Sequence, residues 1–241
     1  MRRVLLVPLV HDAADLGAVG PALLAETIRI AGPERWATHT QTLQRYWIEV
    51  AAFLRRMDPH QLKLYQDGLP VGGSVGRAVV EEAARRGSRN YRLILDLLDR
   101  GAELRQTEDP ELLRQEYDLL AREPLVAPAA GRRRTRQAPL PDPERRGRLL
   151  RERDEFIART IDASLGDGEV GVLFLGAEHQ ATARLAPDID VQPLKDPVLV
   201  RAYFQTLLAP GHEPERARLA SYVASPVAGR APENDPSVHR D

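Results

Sequence analysis

The chain has 241 residues, of which 43% are hydrophobic and 29% charged, with a formal net charge of −1 and no cysteine. That length suits one large domain, or one domain with a tail, and the composition is that of an ordinary globular chain. Without cysteine there are no disulfides, thiolate nucleophiles or sulfur-ligated zinc, and the near-neutral balance argues for neither a nucleic-acid nor a membrane-surface partner, so neither is expected.

Residues 3–10 are rich in Val and Leu and read as a buried first strand rather than a leader, since Pro8 and His11-Asp12 cut the apolar run short. No stretch is long and apolar enough to span a bilayer, and the expected setting is cytoplasmic. After a loop, Asp15 is placed to cap a helix over 16–30. Pro33 opens a longer helix over 34–57, where Leu43, Tyr46, Trp47, Val50, Phe53 and Leu54 recur at three- and four-residue steps. That aromatic face suits the chain's own sheet or a second copy, so a homo-oligomer is an open expectation.

QLKLYQ (61–66) reads as a second strand ending at Asp67-Gly68. Helices follow over 74–86 and 90–100, closed by Gly87 and Gly101. AELRQ (102–106) is a short strand candidate, and TEDPELLRQ starts a helix reaching about residue 122. Residues 123–143, rich in Pro, Ala and Arg and without apolar periodicity, read as a linker. A helix over 144–165 has a stripe of Leu149, Leu150, Ile157 and Ile161. GVLFLG then forms a strand that turns over at Gly176. A short helix over 180–185, a strand over 188–194 and a last helix over 196–208 complete the fold, and a polar tail over 209–241 is expected to fray.

Strands alternating with helices predict an α/β fold: a mainly parallel sheet flanked by helices, with a helical insertion at about 74–122. Ligands of such sheets bind outside the carboxyl ends of the strands. The loops on that edge carry His11, Asp12 and Asp15, then Gln66 and Asp67, then Glu108 and Asp109, and finally Glu178 and His179. Imidazoles and carboxylates together are the groups that activate water, as a general base or by holding a divalent metal. Some of these acids, Asp15, Glu108 and Asp109 among them, need do no more than cap the next helix. Gly17, Gly68 and Gly176 beside them allow tight turns. The glycine-rich runs GDGEVG and GLPVGGSVG lack the spacing of a nucleotide-binding loop, and the Arg-rich 131–148 stretch lacks interleaved aromatics.

Four segments in order resemble the TraB/PrgY/GumN–Tiki group and its erythromycin esterase-like and ChaN-like relatives: LVPLVH, KLYQDG, RERDEFIARTI and GVLFLGAEH. The matching positions are His11, Asp67, the helical pair Arg153 and Asp154, and Gly176 with His179. This chain has Pro-Leu-Val-His where the group commonly has Gly-Thr-x-His, and Asp67 stands where glutamate is usual. The resemblance covers about 1–30, 61–70 and 148–195. It implies an α/β fold with two histidines and acids facing one cleft; members look like metal-dependent peptidases, esterases, haem binders or proteins without assigned activity.

The expectation drawn from residues and resemblance together is a peptidase- or esterase-like hydrolase acting on a small-molecule or peptide substrate. His11, Asp67, Glu178 and His179 would be catalytic, with His11, His179 and Asp67 as ligands if a divalent metal is the cofactor. Arg153 and Asp154 would orient them from behind. The alternative is a non-catalytic ligand-binding or regulatory module of the same fold; a third reading places nucleic acid on 131–153 and is disfavoured.

Overall fold

The structure, a computed structural model, describes residues 1–9, 20–122, 143–209 and 211–228. His11, the other residues of its loop, most of the expected linker and the last residues of the tail lie outside them. Strands β1 (Arg2–Leu9), β2 (Leu62–Gln66), β3 (Glu103–Leu104), β4 (Val170–Gly176) and β5 (Ile189–Pro193) form one all-parallel sheet in the order β3-β2-β4-β1-β5. The described helices are α1 (Gly20–Ala31), α2 (Pro33–Leu54), α3 (Gly73–Arg85), α4 (Arg89–Asp99), α5 (Pro110–Arg122), α6 (Pro143–Ser164), α7 (Pro197–Leu208) and α8 (Glu213–Ala224). The expected α/β architecture is therefore present. Among the described residues no helix is long and apolar enough to cross a membrane.

Period-two alternation sends successive residues of each strand to opposite faces. Leu5, Val7 and Leu9 of β1 join Leu62, Leu64, Val172 and Phe174 in a core covered by α2, α4, α7 and α8. Val4 and Leu6 join Tyr65, Leu173 and Leu175 in a second core, closed by Ile157 and Ile161 of α6. Both faces are covered, which is why these strands read as continuous apolar runs. Pro8 sits inside β1 without breaking the sheet, because β5 pairs only as far as Leu6 and Pro8 has a neighbour on the β4 side alone. Its carbonyl accepts a 2.6 Å hydrogen bond from the fully buried Tyr46 hydroxyl.

Three expectations change. The aromatic face of the helix over 34–57 is buried within the chain, with Tyr46, Trp47, Val50 and Phe53 in the first core, so it offers nothing to a second copy. The helix expected over 180–185 is a single 3₁₀ turn, Ala181–Arg184. Residues 213–224 of the tail, expected to fray, form α8 against α2 and α7, with Arg216, Leu219 and Val223 buried. A residue distant in sequence holds that helix. The Lys195 ammonium is buried and donates to the carbonyls of Tyr222, Ser225 and Pro226 and to the Ser225 hydroxyl, at 2.7–3.2 Å. A cation at the carbonyl end of a helix satisfies orphan acceptors and complements the dipole.

Lys195→Met keeps most of the apolar stem and removes the three N–H donors that these four oxygens share. We expect a loss of about 2 kcal/mol, a drop of roughly 4–8 °C in Tm for a chain of this size. An unchanged melting curve would mean that α8 adds nothing to the stability of the sheet.

Candidate functional site

Parallel sheets open a crevice where neighbouring strands send their connections in opposite directions. Here β2 continues to β3 on one side, while β4 continues to β5 on the other, and the two strands are adjacent. At that divergence Asp67, the residue after β2, is tied to β4 twice. Its N–H donates to the Phe174 carbonyl at 2.9 Å, and its Oδ2 accepts from the Gly176 N–H at 2.9 Å. Gly68 follows with φ +80, a conformation that a side chain would oppose, and its N–H faces Glu108 Oε1 at 3.5 Å.

Arg153 of α6 reaches in from the other side with 4% of its side chain exposed. Its Nη2 donates to Asp67 Oδ1 at 2.8 Å and to Glu108 Oε1 at 2.5 Å, its Nε to Glu108 Oε2 at 3.2 Å and its Nη1 to Glu116 Oε2 at 2.7 Å. One guanidinium thus holds an acid from the end of β2, one from the loop after β3 and one from α5. Burial works against its charge, but the carboxylates around it outweigh that and raise its pKa further. Glu108 is wholly buried, and burial pushes its carboxyl up to about 7 despite the Arg153 hydrogen bonds that pull it down. Its neighbour Asp109 does what both acids were equally placed to do: Oδ1 caps α5 by accepting from the Glu111 and Leu112 N–H groups.

Asp154, next to Arg153, serves a different partner. Its Oδ1 accepts from His179 Nδ1 at 2.7 Å and its Oδ2 from the Gln180 N–H at 3.0 Å, pinning the loop that leaves β4. Because the carboxylate can only accept, the proton is on Nδ1. His179 Nε2 then faces Asp67 Oδ2 at 3.4 Å. Burial disfavours the imidazolium, yet Asp154 and Asp67 together raise its pKa above the ordinary 6.5.

Asp67, Glu116, Arg153 and His179 line a cleft of about 670 Å³ walled by Leu9, Leu113, Tyr91, Tyr117 and Phe204, with Glu108 and Asp154 behind them. A larger hollow of about 730 Å³ beside β3 holds no comparable cluster, so the chemistry and not the volume identifies the site. Of the residues expected from sequence, Asp67, Arg153, Asp154 and His179 come together. Glu178 does not: its side chain is 77% exposed at the rim, with Arg201 Nε at 4.0 Å. His11 lies outside the described residues. Glu116 was not anticipated, although Leu113, Glu116 and Tyr117 at three- and four-residue steps mark one face of α5. The Arg-rich reading of 131–153 loses Arg153, which is committed to the cluster. His39 is structural, buried against Tyr203 with its pKa lowered to about 4 by burial and the nearby Arg89.

One ligand atom each from Asp67, Glu108 and His179 lies within 4.8 Å of the others, the span of a metal site. The donor set nevertheless does not fit a divalent ion while Arg153 is present. Both carboxylates already take guanidinium donors, Asp67 Oδ2 also takes the Gly176 N–H, and a dication would sit beside a buried positive charge. Compared with protein-family models, with curated proteins and with solved structures, the chain has no significant match.

Two outcomes follow from the cluster. Arg153→Met strands buried carboxylates and should cost about 3–5 kcal/mol, and it should create a metal site: Zn²⁺ or Mn²⁺ raises the variant's Tm, reversibly with EDTA, while leaving wild type unmoved. A metal-dependent rise in wild type would contradict the fit argued above. The second outcome concerns pH. Groups whose folded pKa exceeds the unfolded one hold protons more tightly in the native state, so stability falls as pH rises between the two values. For Glu108 that interval runs from 4.5 to about 7, and His179 continues it upward from 6.5. Urea unfolding across pH 4.5–8 should show this decline, and Glu108→Gln should flatten its lower part.

Proposed function

We propose that the chain is a hydrolase, peptidase- or esterase-like, whose working group is His179. The observation that carries this reading is the imidazole clamped through Nδ1 by Asp154, with Nε2 toward Asp67, on the floor of the cleft. Asp154 fixes the tautomer and steadies the imidazolium, as an acid behind a catalytic histidine does. Over one turnover the Nε2 proton passes to the leaving atom as its bond to the acyl carbon breaks. The attacking water forms the new C–O bond and returns a proton to Nε2. Asp67 is held by Arg153 and the Gly176 N–H and faces the imidazolium across 3.4 Å. Metal plays no part in this proposal.

The ordered segments LVPLVH, KLYQDG, RERDEFIARTI and GVLFLGAEH support membership of the TraB/PrgY/GumN–Tiki group, which we advance as a proposal on those residues alone; His11 would be the second imidazole of the site. A small-molecule or peptide substrate and a cytoplasmic setting, which a chain without cysteine suits, belong to the same proposal. One observation favours the alternative of a non-catalytic ligand-binding or regulatory module: the oxygens of Asp67 and Glu108 are satisfied within the protein, as in a structural ion cluster.

The readings separate on a panel of p-nitrophenyl esters and peptide p-nitroanilides. His179→Gln should abolish turnover with Tm nearly unchanged, and Asp154→Asn should lower kcat on the order of 10²-fold or more. Since Asp154 raises the His179 pKa, Asp154→Asn should also move the alkaline fall of the rate to lower pH. Turnover that survives His179→Gln, or none on either substrate class, would sink the hydrolase reading.

A further inference from the structure

Helix α5 is held differently from the other described helices. Each of those has at least one buried residue, whereas none of residues 110–119 is buried. Its apolar positions Leu112, Leu113, Tyr117 and Leu119 belong to neither core and are not packed against either, and Tyr117 is 68% exposed. A helix of 13 residues is marginal in water unless such a face is covered.

The segment that leads into α5 is, by contrast, fixed. Thr107 and Glu108 are wholly buried, and both N–H groups donate to the Leu69 carbonyl, at 3.0 and 3.1 Å. Asp109 then caps the helix. Further along, the ion pairs of Arg114 with Glu111 and Asp118 lie within the helix and travel with it. Among the described residues, one hydrogen bond ties 110–119 to another element: Glu116 Oε2 accepts from Arg153 Nη1 at 2.7 Å. Glu116 is 35% exposed, against 9% for Asp67 and none for Glu108, so of the three acids on Arg153 it is the one water screens most. Its release leaves Arg153 Nε and Nη2 paired as before. Water can take its place at Nη1, because Arg153 lines the cleft.

Leu113, Glu116 and Tyr117 are what α5 contributes to the cleft wall, beside Tyr91 of α4 and Phe204 of α7. A segment anchored at one end, tied once in its middle and lining a cleft is built as a lid is. We propose that α5 is a lid on this cleft, pivoting where Thr107 and Glu108 are fixed and latched by Glu116 on Arg153. The structure holds it latched. Release of Glu116 swings Leu113 and Tyr117 out of the wall and opens the cleft. Closure over an apolar ligand covers the face that α5 otherwise leaves to water. The lid gates entry whatever chemistry follows, so it stands apart from the hydrolase reading.

The test is hydrogen exchange of the full chain, read peptide by peptide by mass spectrometry. Once detached, a helix this short loses its hydrogen bonds, so its amides report the opening. In wild type the α5 amides should exchange on the order of 10²-fold faster than those of α6. Glu116→Ala should speed α5 about tenfold further, while β2, β4 and α6 stay as they were. Alanine is the best helix former, so that increase reports a lost latch and not a weaker helix. Equal protection of α5 and α6 in wild type, or an α5 rate indifferent to Glu116→Ala, would overturn the proposal. A rise shared by β2 and α6 would make Glu116 a structural member of the cluster and sink it too. If Glu116→Ala does not fold, a distance measurement on the otherwise native chain decides. The chain has no cysteine, so Asp118→Cys and Val198→Cys carry a spin-label pair without further change. Raising the salt from about 0.05 M to about 1 M screens the latch and should add a longer distance between the labels; a single distance unmoved by salt rejects the lid.

Discussion

A buried guanidinium is expensive to keep, costing several kcal/mol unless each of its nitrogens finds a partner. Arg153 meets that requirement by drawing one carboxylate from each of three segments that are distant in sequence: Asp67 after β2, Glu108 after β3 and Glu116 on α5. Removing any one of them leaves a charge behind in a dry place. The cluster therefore fixes how α5, α6 and two strand ends meet, and it does so at the one place where β2 and β4 send their connections apart. The same guanidinium fills, electrostatically, the position that a metal would need. What holds the edge of the sheet together also decides what chemistry the edge can do.

Adjacent residues divide the labour at that edge. Arg153 and Asp154 are consecutive on a helix, about 100° apart around its axis, so one faces the acids after β2 and β3 while the other faces the loop leaving β4. Asp154 takes both the His179 ring and the Gln180 N–H, which sets the ring against Asp67. His179 consequently answers to two neighbouring carboxylates, with the Arg153 charge opposing them. Were Asp154 one residue earlier or later, the turn of the helix would swing it off the β4 loop and leave the imidazole unanchored.

Of the longer strands, β1 and β4 were legible as continuous apolar runs, and β2 and β5 as shorter segments with apolar residues at alternate positions. So were Asp67, Arg153, Asp154 and His179, each carried by a short motif. What stayed hidden depended on direction or on distant partners. Glu108 and Asp109 look alike after β3, yet the shorter acid caps α5 and the longer one turns inward to Arg153. Glu178 and His179 are neighbours, and one turns outward to the rim while the other is drawn to Asp154. The tail reads as polar, but Leu219 and Val223 lie on one face of α8 and Lys195, far upstream, caps it. No local pattern announces such a partner.

Asn90 is connected to the Arg153 cluster through a single short relay. Thr107 Oγ1 accepts from the Gln66 N–H, Gln66 donates to the Asp67 carbonyl, and Asn90 donates to Gln66. Thr107 directly precedes Glu108, and Gln66 directly precedes Asp67. Two of the three acids gripped by Arg153 thus follow immediately the residues of this relay, Gln66 and Thr107. A shift at the end of β2 large enough to disturb the charge cluster would also turn the Gln66 amide and the Asn90 side chain bonded to it. The charge cluster and this amide chain share the same two stretches of backbone, so one does not move without the other.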